Sequence, residues 1–173
     1  KENGVDFTRA HNYDVGEVVP DDLTAAEVPP YLAALKSKAY PHELSPEDIL
    51  ITADTVVLLG ERIIGKPKSH EEAVQMLRDM SGTRHTVVTG VTIRSASNLD
   101  SFSVKTDVWF RRMRDEEIEF YVDNYNPYDK AGGYGIQEWI GYVGIGRIEG
   151  SFYNVMGLPI QALYTALEKF VSE

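Results

Sequence analysis

The sequence contains no cysteine, which excludes disulfide bonds and thiolate chemistry. It also has no run of about eighteen apolar residues, the length that a membrane-spanning helix requires. Positively charged residues are few: the sequence has 17 lysines and arginines but 27 aspartates and glutamates. The formal net charge is therefore −10. That balance argues against binding to nucleic acid polymers or anionic membranes. One small nucleotide is still compatible with it, since a nucleotide needs only a local cluster of lysine, arginine and metal.

Metal-binding and export signals are missing as well. The four histidines, His11, His42, His70 and His85, lie at no metal-ligand spacing. No signal-peptide pattern begins at Lys1, so we expect a soluble, cytoplasmic protein without a membrane partner. What the sequence does have is a hydrophobic content of 43% over 173 residues, which is enough for one good core.

The segment 49–67, ILITADTVVLLGERIIGKP, carries the strongest functional signal. Two apolar runs typical of strands flank Asp54 and Thr55. A carboxylate is rarely buried unless it is paired, hydrogen-bonded or bound to metal, so Asp54 lies either at a solvent-facing strand edge or in a functional cleft. A tight turn at 60–61 would return the chain and bring Lys66 to the level of Asp54. An acid, a hydroxyl and a lysine on one sheet edge suit a phosphate ester and its metal ion.

The remaining pattern predicts helices that alternate with hairpins. Ser69 and Glu72 form a predicted capping box at the start of one helix. Helices are predicted over 28–40, 69–82, from an Asp115 cap to 125, and from 158 onward; strands are predicted over 5–8, 84–94, 103–110 and 139–148. This order is typical of an α/β sheet with helices packed on it, divided into two lobes around a cleft.

Glycine occurs at two informative places. Gly90 lies inside a predicted strand, where it indicates either a bulge or the close approach of another backbone or a ligand. The segment 129–137, DKAGGYGIQ, has three glycines within four residues, which either form a turn or bring backbone close to a ligand. A simple turn would leave Asp129, Lys130 and Gln137 unexplained. From the residues alone, we expect an anionic small-molecule site walled by the 49–67 hairpin and this glycine-rich segment.

Six sequence blocks occur in a characteristic order over nearly the whole chain. They are ADTVV at 53–57, GKP at 65–67, EAVQMLRDMSG at 72–82, HTVVTGV at 85–91, DKAGGYGIQ at 129–137 and EGSFYNVMGLP at 149–159. Together they resemble the Maf family of nucleoside triphosphate pyrophosphatases. The resemblance implies an α/β fold like that of inosine triphosphate pyrophosphatases, with an elongated, curved mixed sheet and two lobes around a nucleotide cleft. It also implies hydrolysis of a nucleoside triphosphate to the monophosphate and pyrophosphate, with Mg²⁺ or Mn²⁺, by a homodimer.

The resemblance assigns catalytic roles to four residues. Asp54 matches the proton acceptor of the family, and Lys66 matches the lysine that neutralises phosphate charge. Glu17 matches the acid of a D-x-D-E segment, and Lys36 matches the lysine of the first long helix. Gly16 stands where the second aspartate of that segment is usual. Asp54 and Glu17 are therefore the expected metal ligands.

The resemblance also predicts the substrate. Thr55 and Gln137 match positions associated with the choice of base, and the glycine-rich block resembles the branch that acts on dTTP and UTP. The alternative that we keep is a nucleotide-binding regulator of cell division and septum formation with little turnover. We expect one Maf-like domain over 1–173, without the opening strand and S-x-R-R loop of the family, and we expect that segment to precede residue 1 in the full protein.

Overall fold

One antiparallel sheet organises the computed structural model, which describes residues 6–10 and 13–172. Its strands are β1 Leu50–Leu59, β2 Arg62–Ile64, β3 Arg84–Arg94, β4 Leu99–Phe110 and β5 Ile145–Glu149. They lie in the order β2-β1-β3-β4-β5, and every neighbouring pair is antiparallel. The helices are α1 Val28–Ala39, α2 His70–Met80, α3 Asp115–Tyr125, α4 Trp139–Gly144, α5 Phe152–Met156 and α6 Ile160–Ser172. The predicted α/β class with flanking helices is confirmed, although the sheet formed by the described residues is wholly antiparallel and not mixed.

Most predicted elements are present, because their signals are local. Both hairpins, α1, α2, α3 and α6 occur where the periodicity placed them. The Ser69 side chain caps α2 by accepting from the backbone N of Glu72 at 3.2 Å. Glu72 also reaches back, but it accepts from Lys68 N at 2.8 Å, one residue earlier than expected. None of the helices in the described part of the chain is long and apolar enough to cross a membrane.

Three local predictions are wrong. The stretch 139–148 begins as helix α4 and becomes strand only at β5, because an apolar run has no periodicity that separates strand from buried helix. Residues 6–8 of the predicted strand 5–8 have no regular structure, and Val5 lies outside the described residues. The cap of α3 is Arg114 instead of Asp115, since the Glu117 carboxylate accepts from the Arg114 backbone N at 2.9 Å.

The sheet buries two separate hydrophobic clusters on one face. In the first core, Val57 and Val87 pack with side chains of α2 and α3. In the second core, Val91 and Ile93 pack against Leu163 of α6. Strand residues two apart point to the same face, so both cores lie on one side of β1 and β3 with a gap between them. This arrangement corresponds to two lobes with a cleft.

Helix α1 covers the opposite face of the sheet, and Gly90 determines how closely it approaches. A Cβ atom at position 90 would lie 2.2 Å from the backbone N of Pro30. The ladder runs without a shift through Gly90, which pairs with Asp54 on one side and Ser103 on the other. Of the two expected roles of Gly90, close backbone approach is therefore confirmed and a bulge is not present.

The buried imidazole of His85 makes folding stability depend on pH. His85 is 1% exposed, and its Nε2 lies 2.6 Å from the hydroxyl of Tyr134. Burial lowers the pKa of His85 from 6.5 to about 4. Between these values the unfolded chain binds a proton that the native chain does not, so stability is lost as pH falls. We expect this group alone to lower the free energy of unfolding by up to about 3 kcal/mol across that interval.

Urea unfolding at a series of pH values measures this effect. His85→Gln should remove the His85 part of the slope of stability against pH. His42→Gln replaces an exposed histidine and should keep the slope of the unmodified protein. If the slope in His85→Gln equals that of the unmodified protein, other groups cause the pH dependence.

Candidate functional site

A cavity of about 300 Å³ opens on the sheet face between the two hydrophobic cores. Four of the six site residues predicted from the sequence line it, and they come from the β1–β2 hairpin and from the glycine-rich segment: Asp54, Thr55, Lys66 and Gln137. The other two, Lys36 and Glu17, do not line the cavity; they contact Asp54 from the face of the sheet that α1 covers, as described below. Asp54 therefore connects the residues of the cavity with Lys36 and Glu17, and the six predicted residues lie in one neighbourhood.

The β1–β2 hairpin places Lys66 beside the acid. Val57 pairs with Ile64 across the hairpin, so continuation of the two chains brings Lys66 opposite the middle of β1. The positive charge of Lys66 acts on Asp54. The sequence-based prediction that these two residues lie at one level is confirmed.

Asp54 forms an ion-paired group with Lys36 and Glu17. The ammonium of Lys36 donates a hydrogen bond to Asp54 Oδ1, and the same Nζ lies 3.3 Å from Glu17 Oε1. Helix α1 is held in the register that this contact needs, because Thr52 Oγ1 donates to the carbonyl of Ala33 at 2.7 Å. One lysine thus joins two carboxylates that are far apart in the sequence.

Burial and neighbouring charges shift the pKa values of Asp54 and Lys36. Burial raises the pKa of Asp54 above its usual value, although the hydrogen bond and charge of Lys36 act in the opposite direction. Burial lowers the pKa of Lys36, but its contacts with Asp54 and Glu17 outweigh that effect and the net shift is upward. Lys36 therefore stays protonated. A carboxylate that is more basic than usual, yet paired with a cation, is suited to accept a proton.

Thr55 lies on the floor of the cavity and belongs to a hydroxyl network. Its Oγ1 lies 2.8 Å from Oγ1 of Thr89 and donates to the carbonyl of Gly157 at 3.3 Å. The fully buried Asn154 fastens α5 to the sheet, because its side-chain amide donates to the carbonyl of Val87 at 3.2 Å. This network fixes both Thr55 and the α5 wall of the cavity.

The glycine-rich segment is a turn that packs against β1. Gly132 and Gly133 have left-handed φ angles of 74° and 67°, which favour glycine. The backbone N of Gly132 donates to the carbonyl of Gly65 at 2.9 Å, and a Cβ on Gly132 would lie 3.0 Å from the Val57 side chain. Of the two expected roles, the turn is confirmed, and the close backbone approach seen here is to strand β1. The turn carries Gln137 to the cavity.

Three residues of this neighbourhood received no role in the sequence analysis. Lys130 lines the cavity, with its Nζ 2.9 Å from Asp129 Oδ1 and 3.3 Å from Glu138 Oε1. Its position just before the glycine turn was the only available signal. Thr89 and Asn154 gave no such signal. Thr89 contacts Thr55, and Asn154 contacts Thr89, only between parts of the chain that are far apart in the sequence.

The residues present fit a divalent cation that arrives with a phosphate ligand. In the described part of the chain, no three His, Asp or Glu side chains converge as a metal cluster. Asp54 and Glu17 do converge, through their shared contact with Lys36. Mg²⁺ is usually bound by one or two carboxylates together with substrate phosphates. Two carboxylates beside a lysine-lined cavity match that donor set.

Comparison with known proteins identifies the family. A family profile described as Maf-like protein matches residues 1–170. The chain belongs to the Maf-like family. A protein of Bacteroides thetaiotaomicron named dTTP/UTP pyrophosphatase is 50% identical to this Maf-like chain over 166 residues, which cover 96% of the chain and 86% of the relative.

Two further relatives of this Maf-like chain bear the same name. A dTTP/UTP pyrophosphatase of Porphyromonas gingivalis is 52% identical over 159 residues, covering 91% of the chain and 80% of the relative. One from Flavobacterium johnsoniae is 44% identical over 158 residues, covering 91% of the chain and 81% of the relative. The family predicted from the six sequence blocks is confirmed.

Proposed function

We propose that this Maf-like protein is a nucleoside triphosphate pyrophosphatase that hydrolyses dTTP and UTP to the monophosphate and pyrophosphate. The observation that carries this proposal is the Asp54–Lys36–Glu17 group at the edge of a cavity lined by Lys66, Thr55 and other polar side chains. It supplies a proton acceptor and positive charge in one place. Relatives about half identical over most of the chain and named dTTP/UTP pyrophosphatase support the substrate.

In the proposed reaction, Asp54 takes a proton from the water that attacks the α-phosphorus. A bond forms between the water oxygen and the α-phosphorus, and the bond from the α-phosphorus to the bridging oxygen breaks. The electron pair leaves with pyrophosphate. Lys36 holds Asp54 Oδ1, so Asp54 Oδ2 is the atom assigned to take the proton. This arrangement orients the acid without removing its basicity.

The other predicted residues bind the substrate. Lys66 neutralises phosphate charge, which stabilises a transition state with negative charge on its oxygens. Asp54 and Glu17 would hold Mg²⁺ or Mn²⁺ together with the phosphates, and the bound ion would supply further charge neutralisation. Thr55 and Gln137 contact the base, because a hydroxyl and an amide each offer a donor and an acceptor.

We also propose that the protein is a cytoplasmic homodimer that binds neither nucleic acid polymers nor membranes. The net charge of −10 supports the lack of polyanion binding. The exposed rings of Phe152 and Tyr153 contact each other on α5, with centroids 5.7 Å apart, and this exposed aromatic pair supports a subunit contact. Sedimentation equilibrium gives the oligomeric state, and a monomer at all concentrations would contradict this part of the proposal.

The reaction is tested by measuring pyrophosphate release from dTTP, UTP, CTP, ITP and 7-methyl-GTP by the full-length protein with Mg²⁺ or Mn²⁺. Turnover concentrated on dTTP and UTP is the expected result. Similar turnover of the purine triphosphates would keep the reaction and overturn the substrate assignment. No release from any of them, with nucleotide still bound, would favour a nucleotide-binding regulator of cell division.

Replacement of Gln137 by Glu is expected to weaken selection of the base. A carboxylate cannot donate the hydrogen bond that the amide offers, so one polar group of the bound base loses its partner. We expect kcat/KM for dTTP and UTP to fall about tenfold or more. Steady-state kinetics measures the change. Gln161→Glu makes the same substitution on the exposed side of α6 and should leave both constants unchanged; an equal fall in both variants would argue for a general effect of charge.

A further inference from the structure

We propose that Lys130 is a phosphate-binding residue of the cavity, held in position by Glu138 and Tyr121, and that it recognises the pyrophosphate portion of the triphosphate. This assignment rests on the pyrophosphatase activity proposed above. The observation behind it is a lysine that lines the cavity and is fixed from behind by a hydrogen-bonded network.

The network begins in the core and ends at the ammonium. Gly135 N donates to the hydroxyl of Tyr121 at 2.9 Å, and that hydroxyl donates to Glu138 Oε2. Tyr121 is fully buried in α3. The second carboxylate oxygen, Glu138 Oε1, lies 3.3 Å from Lys130 Nζ. Each oxygen of Glu138 thus has one partner, and the carboxylate cannot rotate without losing one of them.

Gly135 provides the space through which this contact is made. A Cβ at position 135 would lie 3.0 Å from Glu138 Cδ and 3.1 Å from Lys130 Cε. The side chains of Lys130 and Glu138 therefore meet directly above the backbone of Gly135, in the space that a side chain at this position would occupy. The direction of Lys130 toward the cavity is a consequence of this packing.

Among the residues that the structure describes, Lys130 has two partners and keeps one donor for a ligand. An ammonium group has three N–H bonds, and Asp129 and Glu138 account for two of them. Burial lowers the pKa of Lys130, but the hydrogen bonds and charges of these two acids outweigh that effect and raise it overall. Asp129 has a side chain that is 78% exposed, so its ion pair is weak and can be exchanged for phosphate.

The position of Lys66 indicates which phosphates Lys130 contacts. Lys66 continues β2 opposite the middle of β1, and the backbone N of Gly132 donates to the carbonyl of Gly65 at 2.9 Å, so the turn that follows Lys130 lies beside Lys66. Asp129 is bonded to Lys130. The order along the cavity is therefore Asp54, Lys66, Lys130. With the α-phosphorus beside Asp54, Lys130 faces the β- and γ-phosphates.

Equilibrium binding of two ligands tests this assignment in the presence of Mg²⁺. The probes are the non-hydrolysable α,β-imido-dUTP and dUMP, measured by titration calorimetry. Lys130→Met, which keeps the stem and removes the charge, should weaken binding of the imido triphosphate about tenfold or more. Binding of dUMP should change by less than about twofold, because the monophosphate lacks the part that Lys130 contacts.

Three further variants separate position from charge. Lys68→Met removes an exposed lysine outside this cavity and should leave both affinities unchanged. Lys130→Arg keeps the charge and should retain most of the preference for the triphosphate. Glu138→Gln keeps Lys130 but removes the charge that holds it, and it should lower the ratio of triphosphate to monophosphate affinity. A purely structural role of Glu138 would lower both affinities together.

Two results would overturn the assignment. One is binding of the imido triphosphate by Lys130→Met within about twofold of the unmodified protein. The other is an equal loss of imido triphosphate and dUMP binding in that variant. If the unmodified protein releases no pyrophosphate from dTTP or UTP but Lys130→Met still loses triphosphate binding selectively, the proposed reaction fails and the role of Lys130 stands.

Discussion

Asp54→Asn is expected to reduce kcat for dTTP and UTP by about 10³-fold while nucleotide binding persists. The asparagine amide has nearly the same shape as the carboxylate, and its oxygen can still accept the hydrogen bond from Lys36. It cannot take a proton from the attacking water. Pyrophosphate release and calorimetric binding of α,β-imido-dUTP measure the two properties separately.

Two control experiments show whether the effect of Asp54→Asn is specific to this site and whether Asp54 also binds metal. Asp100→Asn makes the same change at an exposed position on β4 and should leave kcat unaltered. Titration of Mg²⁺ against the Asp54→Asn protein with bound imido analogue shows whether the carboxylate also holds metal, since loss of a ligand weakens metal binding. If Asp54→Asn retains most of its turnover, Asp54 is not the proton acceptor.

Gly90→Ala is expected to destabilise the fold by about 3 kcal/mol or more. The added Cβ would lie 2.2 Å from Pro30 N and 2.4 Å from Pro29 C, and these are backbone atoms that cannot move aside separately. Helix α1 must therefore shift as a unit away from the sheet. Because Lys36 belongs to α1, the same shift would draw its ammonium away from Asp54. Thermal and urea unfolding give the loss of stability.

A second glycine of the sheet supplies the control. Gly146 lies in β5, and a Cβ there would meet its nearest neighbour, the Trp109 carbonyl oxygen, at an ordinary 3.9 Å. Gly146→Ala should change the free energy of unfolding by less than about 1 kcal/mol. Similar stability of the two alanine variants would show that α1 adjusts to the extra carbon more easily than the backbone contact suggests.

The parts of the site that the sequence predicts are those built by local rules. The β1–β2 hairpin follows from an apolar alternation and a glycine turn, and the hairpin alone brings Lys66 to Asp54. The contact between Lys36 and Asp54 joins a helix to a strand 18 positions away, and no local pattern predicts it. The family resemblance pointed to Lys36 and Glu17; the packing of α1 brings Lys36 to Asp54, and Glu17 contacts the same ammonium.

The parts that were wrong or missed depend on tertiary packing. The apolar stretch 139–148 fits a strand as well as a buried helix, and the burial of Ile140 and Gly144 four positions apart favours the helix. Thr89 and Asn154 act through contacts across the sheet, up to 67 positions apart in sequence. Such contacts arise only when the elements are already in place, so composition and spacing do not reveal them.

The short β2 strand leaves part of the sheet edge open. β2 pairs with β1 only from Val57 to Leu59, whereas β3 pairs with β1 over nearly its whole length. In the described part of the chain, the outer side of β1 near Asp54 and Thr55 has no neighbouring strand. Unpaired edges of this kind invite another strand to add to the sheet. Because β2 ends at Ile64, the chain that carries Lys66 leaves the ladder before it passes this stretch, and the edge of β1 stays open beside the cavity.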